Sequence, residues 1–211
     1  MEIDTLSVSR TARYATLGTP DGARAVWFVL HGYGQLAEYF IQPFESMAEG
    51  RFIVAPEALS RFYTEGMRGR VGASWMTSAA REHEIRDYVA YLDALATHLR
   101  PRWPADAEVH VFGFSQGTAT ACRWAAFGDT TVDRMTLWAG GVPPDLDLDA
   151  HGKLLRRLDL TLVIGTDDEY ISEDQVAAEE ARLDASGIPH RTIRFDGPHR
   201  IDAEVLARVE E

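Results

Sequence analysis

A serine framed by glycines, Gly113-Phe114-Ser115-Gln116-Gly117, follows the apolar run Val109-His110-Val111-Phe112 and precedes a helix-like stretch. In a strand–turn–helix context this turn strains the serine backbone, and glycines two residues to either side give the chain room to double back. The hydroxyl then stands at the carboxyl edge of a sheet, above the N-terminus of the next helix. That exposure suits a nucleophile. A hydroxyl attacks poorly at neutral pH, so the chemistry also needs a base and a group that orients the base.

Seven histidines could supply the base. His199 follows the run Thr192–Phe195 in Phe195-Asp196-Gly197-Pro198-His199, which puts it at the same strand edge as Ser115. His190 precedes that run and falls at the opposite edge. His83 and His98 belong to a long amphipathic stretch and read as solvated, His110 lies inside a strand, and His151 has no supporting context. His199 is the candidate base. The orienting carboxylate should follow another strand at this edge. After Leu160–Ile164 comes Gly165-Thr166-Asp167-Asp168-Glu169, where Asp167 and Asp168 compete and either could also serve as a helix cap. The order serine, aspartate, histidine is that of the α/β-hydrolases.

Charge building up on an attacked carbonyl oxygen needs two backbone donors. One is expected from the amide after the nucleophile, Gln116. The other is expected from the glycine-rich bend Leu30-His31-Gly32-Tyr33-Gly34-Gln35, with the Tyr33 amide as donor. Phe62, Tyr63, Met67, Trp75 and Met76 lie between Arg51 and Thr77 among Gly66, Gly69 and Gly72. Such a loop could lean over the site, with Met67, Trp75 and Met76 binding substrate and Trp138 as a further wall residue. Ordinary core filling is the competing reading of these side chains.

The elements that must position these groups alternate. Apolar runs at Ala25–Leu30, Phe52–Ala55, Val109–Phe112, Met135–Trp138, Leu160–Ile164 and Thr192–Phe195 read as buried parallel strands. Val8 to Leu17, followed by the turn Thr19-Pro20-Asp21-Gly22, reads as an extra strand hairpinned onto the first of them. Ile85, Tyr88, Val89, Leu92, Leu95, Ala96 and Leu99 form a helical stripe stopped by Pro101. A second helix starts at Ser172, with Gln175 at capping-box spacing, and ends at Gly187. A third runs from about Ile201 to the carboxyl terminus. The pattern predicts an α/β fold with a mostly parallel central sheet and helices on both faces, as a single domain over 1–211. Ligands of such sheets bind outside the carboxyl ends of the strands.

Composition narrows the partners. A net charge of −12, with Lys153 the sole lysine, disfavours nucleic-acid phosphate and anionic membrane as partners. Either a high-salt cell or GC-rich codons would produce this bias. The longest apolar stretch, Ala25–Leu30, is too short to span a bilayer, and Met1-Glu2-Ile3-Asp4 lacks the pattern of a secretory signal. One cysteine, Cys122, permits no intrachain disulfide. The expectation is a cytoplasmic protein with no metal or organic cofactor. Oligomeric state is not legible, and a homodimer is compatible.

Taken together, Leu30-His31-Gly32-Tyr33-Gly34, Gly113-Phe114-Ser115-Gln116-Gly117, Gly165-Thr166-Asp167-Asp168 and Gly197-Pro198-His199 resemble the phospholipase/carboxylesterase family of α/β-hydrolases. That family includes acyl-protein thioesterases and small bacterial carboxylesterases. The resemblance runs from about Ala25 to the end, and the G-F-S-Q-G form is more specific than the generic serine turn. The family pattern of glycine, two variable residues and aspartate selects Asp168 over Asp167, and its histidine falls on His199. The resemblance implies a serine hydrolase acting on small-molecule carboxylic esters or thioesters of small or medium acyl chains through an acyl-enzyme. A non-catalytic binding protein and a serine peptidase are the alternatives. Tyr33 stands where the family usually has Leu, and Gln35 where it has Asp. Trp75-Met76-Thr77 replaces W-F-D, and Ala139-Gly140-Gly141 replaces S-G-F. These departures change the walls around the site, so no particular substrate carries over.

Overall fold

The computed structural model describes residues 1–210. After an irregular, largely exposed start, β1 (Tyr14–Gly18) turns into β2 (Ala25–Leu30), and α1 (Ala37–Phe40) with a 3₁₀ turn (Gln42–Met47) leads to β3 (Arg51–Pro56). Next come the hairpin strands β4 (Ser60–Glu65) and β5 (Arg68–Ser74), then α2 (Arg81–Leu99), β6 (Glu108–Phe114) and α3 (Gln116–Phe127). The chain closes with β7 (Arg134–Trp138), α4 (Leu148–Leu155), β8 (Asp159–Gly165), α5 (Glu173–Ala185), β9 (Arg191–Phe195) and α6 (Ala203–Ala207).

Seven strands form one sheet in the order β1-β3-β2-β6-β7-β8-β9. Every neighbouring pair is parallel except β1 with β3. The fold class read from the alternation of elements is therefore present. The extra amino-terminal strand is also present, but its partner differs. Tyr14 to Gly18 pairs antiparallel with β3, not with β2. Both sides of β2 are already occupied by β3 and β6, so β1 adds at the sheet edge beside β3 instead.

Successive residues of β2 go to opposite faces of the sheet, as a period of two requires. Val26, Phe28 and Leu30 join the core under α2, α3, α4 and α5, which also holds Tyr88, Leu92, Trp124 and Leu183. Trp27 and Val29 join the other core, with Phe40, Phe44, Phe112, Trp138 and Leu206. Helices thus cover both faces, which is why the strands read as continuous apolar runs. The stripe from Ile85 to Leu99 is the buried side of α2. Ser172 caps α5 through a full capping box with Gln175, and Asp147 and Asp202 cap α4 and α6. The segment expected as a loop between β3 and α2 is mostly the β4–β5 hairpin, which lies outside the main sheet. Among the described residues, no helix is long and apolar enough to cross a membrane.

Candidate active site

Ser115 occupies the single position between β6 and α3, with φ 53° and ψ −116°. A β-carbon rarely tolerates that region, and strain of this kind is held only by the surrounding structure. Two glycines make it possible. A methyl group on Gly113 would lie 2.5 Å from the Gly117 carbonyl oxygen, and one on Gly117 would collide with the carbonyls of Leu30 and His31. The Ser115 amide donates to the Trp138 carbonyl at 2.9 Å, which ties the turn to the end of the neighbouring strand.

Asp168 and His199 come together from the loops after β8 and β9. The His199 Nδ1–H donates to Asp168 Oδ2 at 2.7 Å. The other carboxylate oxygen accepts the amides of Tyr170 at 2.9 Å and Ile171 at 3.1 Å. The Asp168 side chain is wholly shielded from solvent, whereas Asp167 is exposed. The main chain explains the difference. The Asp167 amide donates to the Gly197 carbonyl, and Gly165 packs so tightly on Gly197 that no β-carbon fits there. The two loops are thereby stitched together, and the next side chain turns inward onto the imidazole. With Nδ1 protonated, Nε2 is left as the proton acceptor.

The imidazole ring lies 5.1 Å from the ring of Phe114, the residue before the serine, and 4.8 Å from Tyr170. The His199 amide donates to the Glu169 carboxylate at 3.3 Å. Trp138 adds a further anchor, its indole N–H donating to the Arg200 carbonyl at 2.8 Å. The Ser115 hydroxyl itself makes no hydrogen bond among the described residues. The carboxylate–imidazole link is thus formed and the imidazole–hydroxyl link is open, and such links commonly tighten only when substrate is in place.

Both candidate oxyanion amides, Tyr33 and Gln116, lack a hydrogen-bond partner among the described residues. They belong to adjacent segments. A methyl on Gly32 would press on the Phe114 ring, and Gly117 abuts Leu30 and His31. His31 holds the bend in shape from inside the protein. Its Nδ1–H donates to the Gly32 carbonyl at 2.7 Å, and its Nε2 accepts the Ala58 amide at 3.1 Å. Burial lowers its pKa to about 4, with the Gly32 hydrogen bond and the Glu57 charge opposing the shift only in part. His31 is therefore neutral and structural.

A groove of about 550 Å³ runs past the imidazole, lined by Leu36, Tyr39, Phe40, Val71, Phe114 and Ile201 among others. Val71 and Arg70 come from β5, so one strand of the hairpin forms part of the wall. Among the described residues of that lining, Met67, Trp75, Met76 and Trp138 do not occur. Trp138 and Trp75 are core residues, 0% and 3% exposed, because each indole N–H finds an internal carbonyl partner. Met76 is half-buried, and Met67 lies at the hairpin tip at 89% exposure. A second pocket of about 410 Å³ lies between α3, the loop after β7 and α5, reached by Ala119, Gly140, Ile171 and Val176. A larger one, about 610 Å³, is lined by Arg24, Arg51, Glu108 and Arg134 at the amino edge of the sheet. That is the edge opposite the serine, so size does not mark the chemistry here.

Of the remaining histidines, His83 is half-buried rather than solvated, and His151 packs against Phe127 at 4.9 Å. His110 is buried beside Thr136 at 2.8 Å, His190 precedes β9, and His98 is solvent-exposed on α2. Among the described residues, no group of three or more His, Cys, Asp or Glu is arranged to hold a metal ion. His31, Glu169 and Tyr170 were not singled out from sequence. Their roles depend on burial and loop packing, for which the H-G-x-G bend was the only written hint.

No protein-family model matches the chain, and no curated protein matches it in sequence. Solved structures do match. Zea mays acyl-protein thioesterase 2 superposes with a TM-score of 0.72 at 19% identity, over 94% of this chain and 96% of that one. The Bacillus cereus carboxylesterase gives 0.68 at 12% identity, over 94% and 92%. Esterase PE8 gives 0.67 at 20% identity, over 95% and 100%. At these identities the likeness speaks to architecture, and the architecture is that of the α/β-hydrolase fold.

Proposed function

We propose that the protein is a serine hydrolase that cleaves carboxylic esters of small or medium acyl chains through Ser115, His199 and Asp168. The observation that carries this reading is the 2.7 Å bond from His199 to the shielded Asp168 carboxylate, at the same sheet edge as a strained serine. The likeness to esterases and a thioesterase supports it. Thioesters proceed through the same acyl-enzyme and are included in the proposal.

In this reaction Nε2 of His199 takes the Ser115 proton as the oxygen attacks the substrate carbonyl. The tetrahedral oxyanion accepts from the amides of Tyr33 and Gln116, whose free N–H groups need no rearrangement to serve it. The imidazolium is steadied by Asp168 and gives its proton to the leaving alcohol or thiol. Water, deprotonated by the same imidazole, releases the acid. The groove beside His199, with its apolar Leu36, Phe40 and Phe114, suits a soluble ester of modest size.

Release of nitrophenol from nitrophenyl acetate, butyrate and octanoate tests the proposal. Turnover that disappears with Ser115→Ala supports it. Equal turnover by the Ser115→Ala protein would refute it.

A further inference from the structure

We infer that the segment Ala73–Met76, at the end of β5, is the template that sets the two oxyanion amides relative to each other, with the Gln116 carboxamide as a positioning group. The inference rests on the reading of Ser115 as the nucleophile.

Both halves of the hole are bonded to these four residues. On the loop side, the Gly34 amide donates to the Ala73 carbonyl at 2.9 Å and the Ala73 amide donates to the Gln35 carbonyl at 3.2 Å. The Trp75 indole N–H adds a bond to the His31 carbonyl at 2.8 Å. The Tyr33 amide therefore sits in a bend fixed on both flanks. On the helix side, Gln116 Oε1 accepts the Trp75 amide at 3.1 Å, and Nε2 donates to the Met76 carbonyl at 2.9 Å. Nε2 also donates to Ser74 Oγ at 3.1 Å. The carboxamide thus pairs with the main chain just beyond β5 as another strand would, and it fixes the Cα that carries the Gln116 amide.

The template has little freedom of its own. Ala73, Ser74 and Trp75 are buried, and Ser74 Oγ is further engaged with the Met76 carbonyl at 2.9 Å. Gly72 lies flat against the bend, where an added methyl would be 2.5 Å from the Gly34 carbonyl oxygen. Donors to an oxyanion lose much of their effect when displaced by a fraction of an ångström. A side chain that never meets substrate can therefore govern turnover.

The test uses Gln116→Met, which keeps the length and removes both polar atoms, and Trp75→Phe, which removes the bond to the His31 carbonyl together with part of a buried ring. Each is assayed for kcat and KM on a nitrophenyl ester, for affinity toward a trifluoromethyl ketone and for melting temperature. The ketone adds to Ser115 as a hemiketal whose oxygen occupies the hole. In Gln116→Met, kcat and ketone affinity should both fall on the order of 10- to 100-fold while KM stays within about twofold. Trp75→Phe should show the same split with a smaller fall. A folded Gln116→Met protein with unchanged kcat and ketone affinity would overturn the inference. If that protein does not fold, the same two readouts on Trp75→Phe decide. Activity surviving in Ser115→Ala would instead overturn the underlying assignment of the nucleophile.

Discussion

The indole N–H of Trp138 donates to the carbonyl of Arg200 at 2.8 Å, while the Trp138 carbonyl accepts the amide of Ser115 at 2.9 Å. One buried residue thus holds the serine turn through its backbone and the histidine loop through its side chain. Trp138→Phe leaves the backbone link and removes the second one, together with part of a fully buried ring. We expect kcat to fall about tenfold with little change in KM, and stability to drop by about 2–3 kcal/mol from the lost hydrogen bond and the cavity. Steady-state kinetics and denaturant unfolding check this, and a rise in KM with kcat unchanged would assign Trp138 to substrate binding instead.

The two adjacent aspartates should separate sharply. Asp168 is shielded and bonded to the imidazole, whereas Asp167 engages Gly197 only through its backbone amide. Asp168→Asn should lower kcat by about 10³- to 10⁴-fold, because an amide no longer favours the tautomer with Nδ1–H donating. Asp167→Asn should stay within about twofold of the parent. Comparable losses in both would contradict the assignment.

Acid should weaken the fold before ordinary carboxylates titrate. Burial lowers the pKa of His31 to about 4 and that of His110 to about 3, from 6.5 in the unfolded chain. Below pH 6.5 the unfolded chain therefore binds protons that the folded chain refuses, and stability falls with pH. The loss amounts to about 3 kcal/mol from His31 and about 5 kcal/mol from His110, each complete only below its folded value. Melting temperature measured from pH 7 to pH 5 should decline steadily. A flat profile across that window would mean that neither imidazole is held neutral by burial.

Gly117→Ala probes the close approach at the serine turn. The added methyl would meet the Leu30 and His31 carbonyls, which are backbone atoms at the carboxyl end of β2 and cannot swing aside. Activity should be lost together with several degrees of melting temperature, since a clash of this kind costs about 1–3 kcal/mol or more. A fully active, fully stable variant would show that the turn is looser than its packing indicates.

Much of this architecture was legible because burial and periodicity are written in residue types. The runs that became β2, β3, β6, β7, β8 and β9 are apolar throughout, as strands covered on both faces must be. The placement of His199 at the carboxyl edge was legible from chain position alone, since residues just after a parallel strand emerge there. Asp167 and Asp168 were not separable that way. The difference between them lies in the stitching of Gly165 to Gly197, a contact between segments distant in sequence. The partner of β1 was missed because turn chemistry reports that the chain reverses, not which strand has a free edge. The β4–β5 hairpin resembled a loop because its three glycines and arginines obscure the alternation, and only pairing reveals Phe62, Tyr63 and Val71 as strand residues. Trp75, Met76 and Trp138 looked like pocket walls because aromatic and sulfur side chains suit both pockets and cores. The deciding factor, an internal carbonyl for each indole N–H, is a tertiary fact.

Intact-mass analysis after exposure to a fluorophosphonate tests the convergence of Ser115, His199 and Asp168 most directly. The account predicts one adduct per chain, located on Ser115, absent in Ser115→Ala and formed at least about a hundredfold more slowly in His199→Ala. Labelling at a different residue, or labelling of Ser115 at the parent rate when the imidazole is gone, would contradict it.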